Sequence, residues 1–128
     1  MSTIEKIKEK LQKYPHVQYK TDKRAISVPP PNPNGFTVML AVSGNGYTVS
    51  FNGWHEEFED EDEALNCFAF GLSNAARLRV CSRVKFEYRW TLEKQEDDRW
   101  IDVSETGLLV FPFWLSKRIT YLQNSLIT

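Results

Sequence analysis

The clearest hydrophobic pattern in the chain alternates with period two between Leu78 and Leu92. Apolar residues occupy the even positions Leu78, Val80, Val84, Phe86, Tyr88, Trp90 and Leu92. Charged residues fill most of the odd positions, namely Arg79, Arg83, Lys85, Glu87 and Arg89. This period is that of a strand with one buried and one wet face. The pattern therefore predicts one extended strand over 78–92, with a row of basic side chains on its outer face.

Three other stretches have the 3.6-residue period of an amphipathic helix. The first lies in residues 3–14, and the second begins at a capping box formed by Asp60 and Glu63. Gly71 interrupts the second stretch at a cost of about 1 kcal/mol relative to Ala, so we expect that helix to weaken there. The third stretch follows Pro112 and has the apolar members Leu115, Ile119, Leu122 and Leu126.

Turn residues separate the remaining strand-like segments. In addition to 78–92, these segments are 16–20, 24–28, 36–42, 47–51, 54–58, 100–104 and 108–111. Asn52-Gly53 lies between two of them and predicts a tight type I′ hairpin, because both residues readily take a positive φ. Residues 29–35 contain four prolines and predict a stiff surface connection, since proline lacks the amide donor of a central strand.

These elements predict a single α+β domain over residues 1–128. We expect an antiparallel sheet of about six to eight strands, in the order helix–strands–helix–strands–helix, with the helices packed on one face. This order of elements is similar to that of small chaperone-like proteins such as the type III secretion chaperones. A shared order of elements does not fix a function.

Composition and charge narrow the classes of partner. Hydrophobic residues make up 41% of the 128 positions, enough for one core. The formal net charge of −1 and the pI of about 6.1 argue against nucleic acid as a partner. The chain has no apolar run of bilayer length and its first residues do not form a secretory signal, so we predict a cytoplasmic protein without a membrane partner. We then interpret Cys67 and Cys81 as reduced thiols, with a disulfide between them as the alternative, and their spacing is not that of a metal site.

The basic row is the first candidate binding site. Its members are Arg77, Arg79, Arg83, Lys85 and Arg89. Guanidinium groups in a row suit a phosphate, a carboxylate partner or the acidic run of another copy. The alternative is a charged outer face that only prevents sheets from sticking together.

Trp100 is the second candidate binding residue. It follows the turn at 96–98, and a hairpin that pairs Leu92 or Trp90 with Ile101 or Val103 places Trp100 outward, beside Thr91 and Glu93. An outward tryptophan is often a contact residue at a protein interface. The C-terminal helix or the proline segment would otherwise cover it.

The other candidate sites have less support from the sequence. His55 and Glu57 point to one side of a strand and form a hypothetical acid–base pair, but no third catalytic group or pocket accompanies them. Seven carboxylates in residues 56–63 suit a solvated helix start, favoured by the helix dipole, or an acidic patch for a basic partner. We predict no catalytic set, metal site or cofactor.

Three functional hypotheses remain open. The first is a non-enzymatic binding or adaptor module for an unknown protein partner or for itself, with a homodimer as its simplest form. The second is a small-molecule-binding protein or small enzyme that uses His55 and Glu57. The third is nucleic-acid binding through the basic row, against which the pI argues.

Overall fold

The computed structural model describes residues 2–127 and contains, in that range, two helices and nine strands. Helix α1 spans Thr3–Leu11 and helix α2 spans Glu61–Leu72. The strands are β1 Lys20–Thr21, β2 Ala25–Val28, β3 Val38–Ser43, β4 Gly46–Phe51, β5 Trp54–Phe58, β6 Ala76–Arg83, β7 Phe86–Glu96, β8 Arg99–Gly107 and β9 Lys117–Leu122. Neither helix is long and apolar enough to cross a bilayer.

The first sheet is an antiparallel meander with the strand order β1-β2-β3-β4-β5. Its strands β3, β4 and β5 lie where the sequence predicts them, joined by the predicted turns. The Asn52-Gly53 turn is not type I′, because only Asn52 of the two has a positive φ, at 54°. A positive φ at the first central residue alone is the type II′ pattern.

Helix α2 packs on this sheet and closes the core. Its N-terminus is capped as predicted, since Asp60 Oδ2 accepts a hydrogen bond from the Glu63 amide at 3.0 Å. The helix ends at Leu72, one residue after Gly71, which agrees with the predicted weakening at that glycine. A Cβ on Gly71 would lie 2.4 Å from the ring of Phe51, so glycine is required for the close approach of helix and strand.

The second sheet is also antiparallel and has the order β8-β7-β6-β9. Residues 78–92 are extended as predicted, but they form the two strands β6 and β7 rather than one. The hairpin turns at Val84 and Lys85, where Val84 has a φ of 58° that a β-branched residue rarely takes. The two-residue turn sets odd residues of β6 opposite even residues of β7, as in Arg83 with Phe86, and one extra residue in β7 restores even opposite even, as in Val80 with Trp90. The turn and the extra residue compensate each other, which is why the sequence pattern runs through without a break.

The predicted fold class is wrong in its arrangement. The structure has two sheets, of five and four strands, and the described chain has no third helix. Residues 117–122 instead pair with β6 as strand β9, and residues 108–111, predicted as a strand, have no strand neighbour. The similarity to secretion chaperones depended on the helix–strands–helix–strands–helix order, so it is not supported.

The chain after β9 returns to α2 as an extended tail. Asn124 is buried, and its Oδ1 accepts from the Phe36 amide at 2.8 Å while its Nδ2 donates to the Gly71 carbonyl at 3.0 Å. The Leu72 carbonyl accepts from the amides of Leu126 and Ile127. The tail therefore satisfies carbonyl groups at the end of α2 that would otherwise lack partners.

Candidate functional site

The outer face of the second sheet carries an ion-pair network. Glu93 is only 1% exposed, and its carboxylate accepts from Arg77 Nε at 2.5 Å and Arg79 Nη1 at 2.7 Å. Arg79 also pairs with Asp102 at 3.1 Å. These contacts follow from the register, because β6 sets Arg77 opposite Glu93 and β7 sets Glu93 opposite Asp102. Two members of the basic row thus have partners within the chain.

Trp100 lies on this outer face, on the side that the sequence predicts. The Arg77 guanidinium lies 4.4 Å from the Trp100 ring centroid and 4.2 Å from that of Tyr121. This cation–π sandwich holds Trp100 partly covered by its own chain. The role of Trp100 and Arg79 in binding a partner stays a prediction.

The rest of the basic row lies toward the tip of the β6–β7 hairpin. Arg89 pairs with Glu105 at 3.4 Å, and Lys85 is exposed in the turn itself. Arg83 donates from Nη1 to the Leu115 carbonyl at 3.2 Å, so it binds the chain segment that crosses the hairpin tip. The basic row is therefore not a free line of cations.

A β-bulge in β7 forms the contact between the hairpin and the chain segment that crosses its tip. Cys81 pairs with Arg89 and Ser82 with Glu87, which leaves Tyr88 as the extra residue. Tyr88 is buried but is separate from the main core cluster, and it stacks on Phe111 with ring centroids 4.1 Å apart. Tyr88 therefore does not join the inward-facing residues that its even position predicts, whereas Trp90 and Leu92 beyond the bulge do.

We call residues 108–115 the apolar segment. It has no charged residue and connects β8 to β9 across the hairpin tip. Its ends are fixed: the Leu108 amide donates to the Tyr88 carbonyl at 2.8 Å, and Arg83 holds Leu115. Between these ends most side chains face outward, and the exposed fractions are Leu109 99%, Val110 85%, Phe113 68% and Trp114 73%.

The exposed apolar area of this region is larger than that of an ordinary protein surface. Phe86 and Val84 of the hairpin tip are also exposed, and Phe86 lines one groove with residues 109–114. Each aromatic side chain has roughly 150–250 Å² of surface, so the exposed parts of Phe86, Phe113 and Trp114 come to about 300–450 Å². The aliphatic members about double this, whereas the largest patch of a typical monomer is about 300–600 Å².

The sequence contains this surface, but its local patterns assign the residues to other elements. They predict a strand over 108–111, and after Pro112 a helix whose apolar side faces the core. The feature of the sequence that argues against these two elements is the run of eight uncharged residues, 108–115, interrupted by Pro112. Such a run suits neither an edge strand nor an amphipathic helix, because it has no polar face.

The alternative acid–base residues do not share a pocket. His55 and Glu57 are both exposed on β5, an edge strand. Glu57 lines a shallow groove with Tyr47 and Phe58, and His55 does not line that groove. The acid–base hypothesis stays a prediction that this geometry does not favour.

The remaining chemical candidates, the two cysteines and the acidic run, lie in environments that give them structural roles. Burial raises the pKa of the Cys67 thiol to about 12, with the Glu56 carboxylate adding to the shift, and Cys81 is buried in β6. In the acidic run, Glu61 pairs with Lys6 and accepts from Thr3 Oγ1 at 2.6 Å, which joins α1 to α2. Within residues 2–127, no three His, Cys, Asp or Glu side chains converge as metal ligands.

Comparison with known proteins gave no relative for this chain. No protein-family model, curated protein or solved structure matches it.

Proposed function

We propose that this chain is a non-enzymatic protein-binding module whose binding surface is the apolar segment with the adjoining tip of the β6–β7 hairpin. The observation that carries the proposal is the joint exposure of Leu109, Val110, Phe113 and Trp114. Exposed apolar patches of this size mark sites of interaction. Apolar side chains that face water lower the solubility of a protein and do not add to its stability.

The contacts that fix the apolar segment support a binding surface rather than a flexible loop. Phe111 stacks on Tyr88, and Arg83 and the Leu108 amide fix the two ends. A segment fixed at three points loses little conformational entropy when a partner covers it. Its aromatic members Phe113 and Trp114 are of the types that dominate binding energy at protein interfaces.

A photo-cross-linking experiment tests this function. A benzoylphenylalanine replaces Phe113 in the full chain, and a matched control variant carries it at Tyr19, an exposed aromatic residue outside the segment. Irradiation in the producing cells is expected to give polypeptide adducts at position 113 several-fold more often than at position 19. Equal labelling at both positions, or adducts at 113 that contain no polypeptide, would contradict the proposal.

A further inference from the structure

We infer that the partner which covers this surface is a second copy of the chain, joined to the first through the free edge of strand β9. This inference rests on the proposed function and names its partner. It combines two independent observations, an unprotected sheet edge and the apolar segment that leads directly into it.

Strand β9 is the edge of the second sheet and pairs with β6 on one side only. All of its residues except Leu122 are exposed, and its register with β6 contains no bulge. The central residues Ile119, Thr120 and Tyr121 are uncharged, and both charges of the strand lie at its first two positions. Its outer amide and carbonyl groups are therefore available to another strand.

The other sheet edges of the described chain are protected. Strand β8 carries Asp102 and Glu105, is bulged opposite β7, and contacts β5 through a hydrogen bond from the His55 amide to Thr106 Oγ1 at 3.2 Å. Strand β5 has His55 and two glutamates among its five residues, and β1 is two residues long. Charges, bulges and shortness are the usual means of preventing edge pairing, and β9 has no bulge and no charge beyond its first two positions.

The sequence of β9 suits pairing with itself. In an antiparallel pair centred on Thr120, Ile119 lies opposite the partner's Tyr121, so that a β-branched residue meets an aromatic one on the same face. Lys117 then lies opposite the partner's Gln123, whose amide already donates to the Asn34 carbonyl of its own chain, and no cation faces a cation. The net charge of −1 also gives little repulsion between copies.

The available area agrees with a dimer. The apolar segment ends two residues before β9, so edge pairing places each copy's Trp114 and Leu115 at one end of the new strand pair. The exposed apolar area estimated above approaches the ~800 Å² that each partner contributes to a standard interface. A lipid surface would cover the apolar side chains but would leave the β9 edge without hydrogen-bond partners.

Charge-swap variants at Thr120 test the inference, because this exposed residue faces itself across the proposed axis. Sedimentation equilibrium from micromolar to submillimolar concentration is expected to show a wild-type dimer. Thr120→Lys and Thr120→Glu should each weaken self-association by on the order of tenfold or more, since like charges then meet. An equimolar mixture of the two variants should associate again as a heterodimer, and circular dichroism of each variant confirms its folding.

Each other outcome of these experiments contradicts one or both of the proposals. A wild-type chain that stays monomeric at all these concentrations overturns the second-copy inference, while the proposed function survives if position 113 still cross-links to another protein. A dimer that persists in both Thr120 variants overturns the β9 edge as the contact. Flotation of a monomer with phosphatidylcholine–phosphatidylglycerol vesicles, lost in Leu109→Ser/Trp114→Ser, would identify a lipid surface and overturn both proposals.

Discussion

Two aromatic clusters of this chain have the same chemistry and opposite environments. Phe51 and Trp54 stack with centroids 4.6 Å apart and are essentially buried, whereas Phe113 and Trp114 lie 5.3 Å apart and are mostly exposed. The difference lies in what covers them. Helix α2 approaches Phe51 closely at Gly71, while within residues 2–127 no helix lies over the apolar segment. An aromatic cluster is therefore core only where the fold supplies a second layer.

The largest expected effect contrasts the two clusters directly. Phe51→Ala removes a fully buried ring and should lower the free energy of unfolding by about 3–5 kcal/mol. Phe113→Ala removes an exposed ring and should change the stability of the monomer by no more than about 0.5 kcal/mol. Urea unfolding at low protein concentration measures both values. Equal losses in the two variants would show that the clusters do not differ as described.

A smaller effect is expected at the contact that closes the buried cluster. Gly71→Ala gains about 1 kcal/mol of helix propensity. The new methyl group would overlap the Phe51 ring, and overpacking costs about 1–3 kcal/mol, so we expect a modest net destabilisation. Combining Gly71→Ala with Phe51→Leu should recover part of that loss, because the smaller side chain leaves room. Strictly additive unfolding free energies would contradict the contact.

The smallest effect concerns the link between the two helices. Hydrogen bonds from Lys6 and then from Thr3 hold the pKa of Glu61 below its ordinary value of 4.5. A lowered pKa stabilises the fold above pH 4.5, and this contribution is lost as the pH falls below that value and the folded carboxylate takes up a proton. The difference in Tm between wild type and Glu61→Gln should therefore shrink with acidification. Glu59→Gln, an exposed control nearby, should differ little from wild type at any pH.

The sequence is a reliable guide where local and tertiary preferences agree. The N-cap at Asp60, the strands around Asn52-Gly53 and the amphipathic stripe of α1 all depend on residues close together in the chain. The outward position of Trp100 also follows from parity in a hairpin. Each of these features requires only a period and a turn.

The features that local patterns do not predict depend on distant partners. Residues 115–126 have helical spacing, yet Tyr121 stacks on Arg77 and Ile119 pairs with Cys81, and these contacts with β6 favour a strand. The sequence does not reveal the hairpin turn at Val84, because apolar residues occupy even positions on both sides of it. The buried state of Glu93 requires two arginines from another strand, which no local pattern reveals.

Amide hydrogen exchange at several protein concentrations tests the binding surface most directly. If a second copy pairs with β9, exchange within residues 117–122 should slow as concentration rises, while exchange within residues 46–58 of the buried meander should stay constant. The same slowing should be absent in Thr120→Lys. Exchange in residues 117–122 that does not change with concentration would contradict the second copy as the partner of this surface.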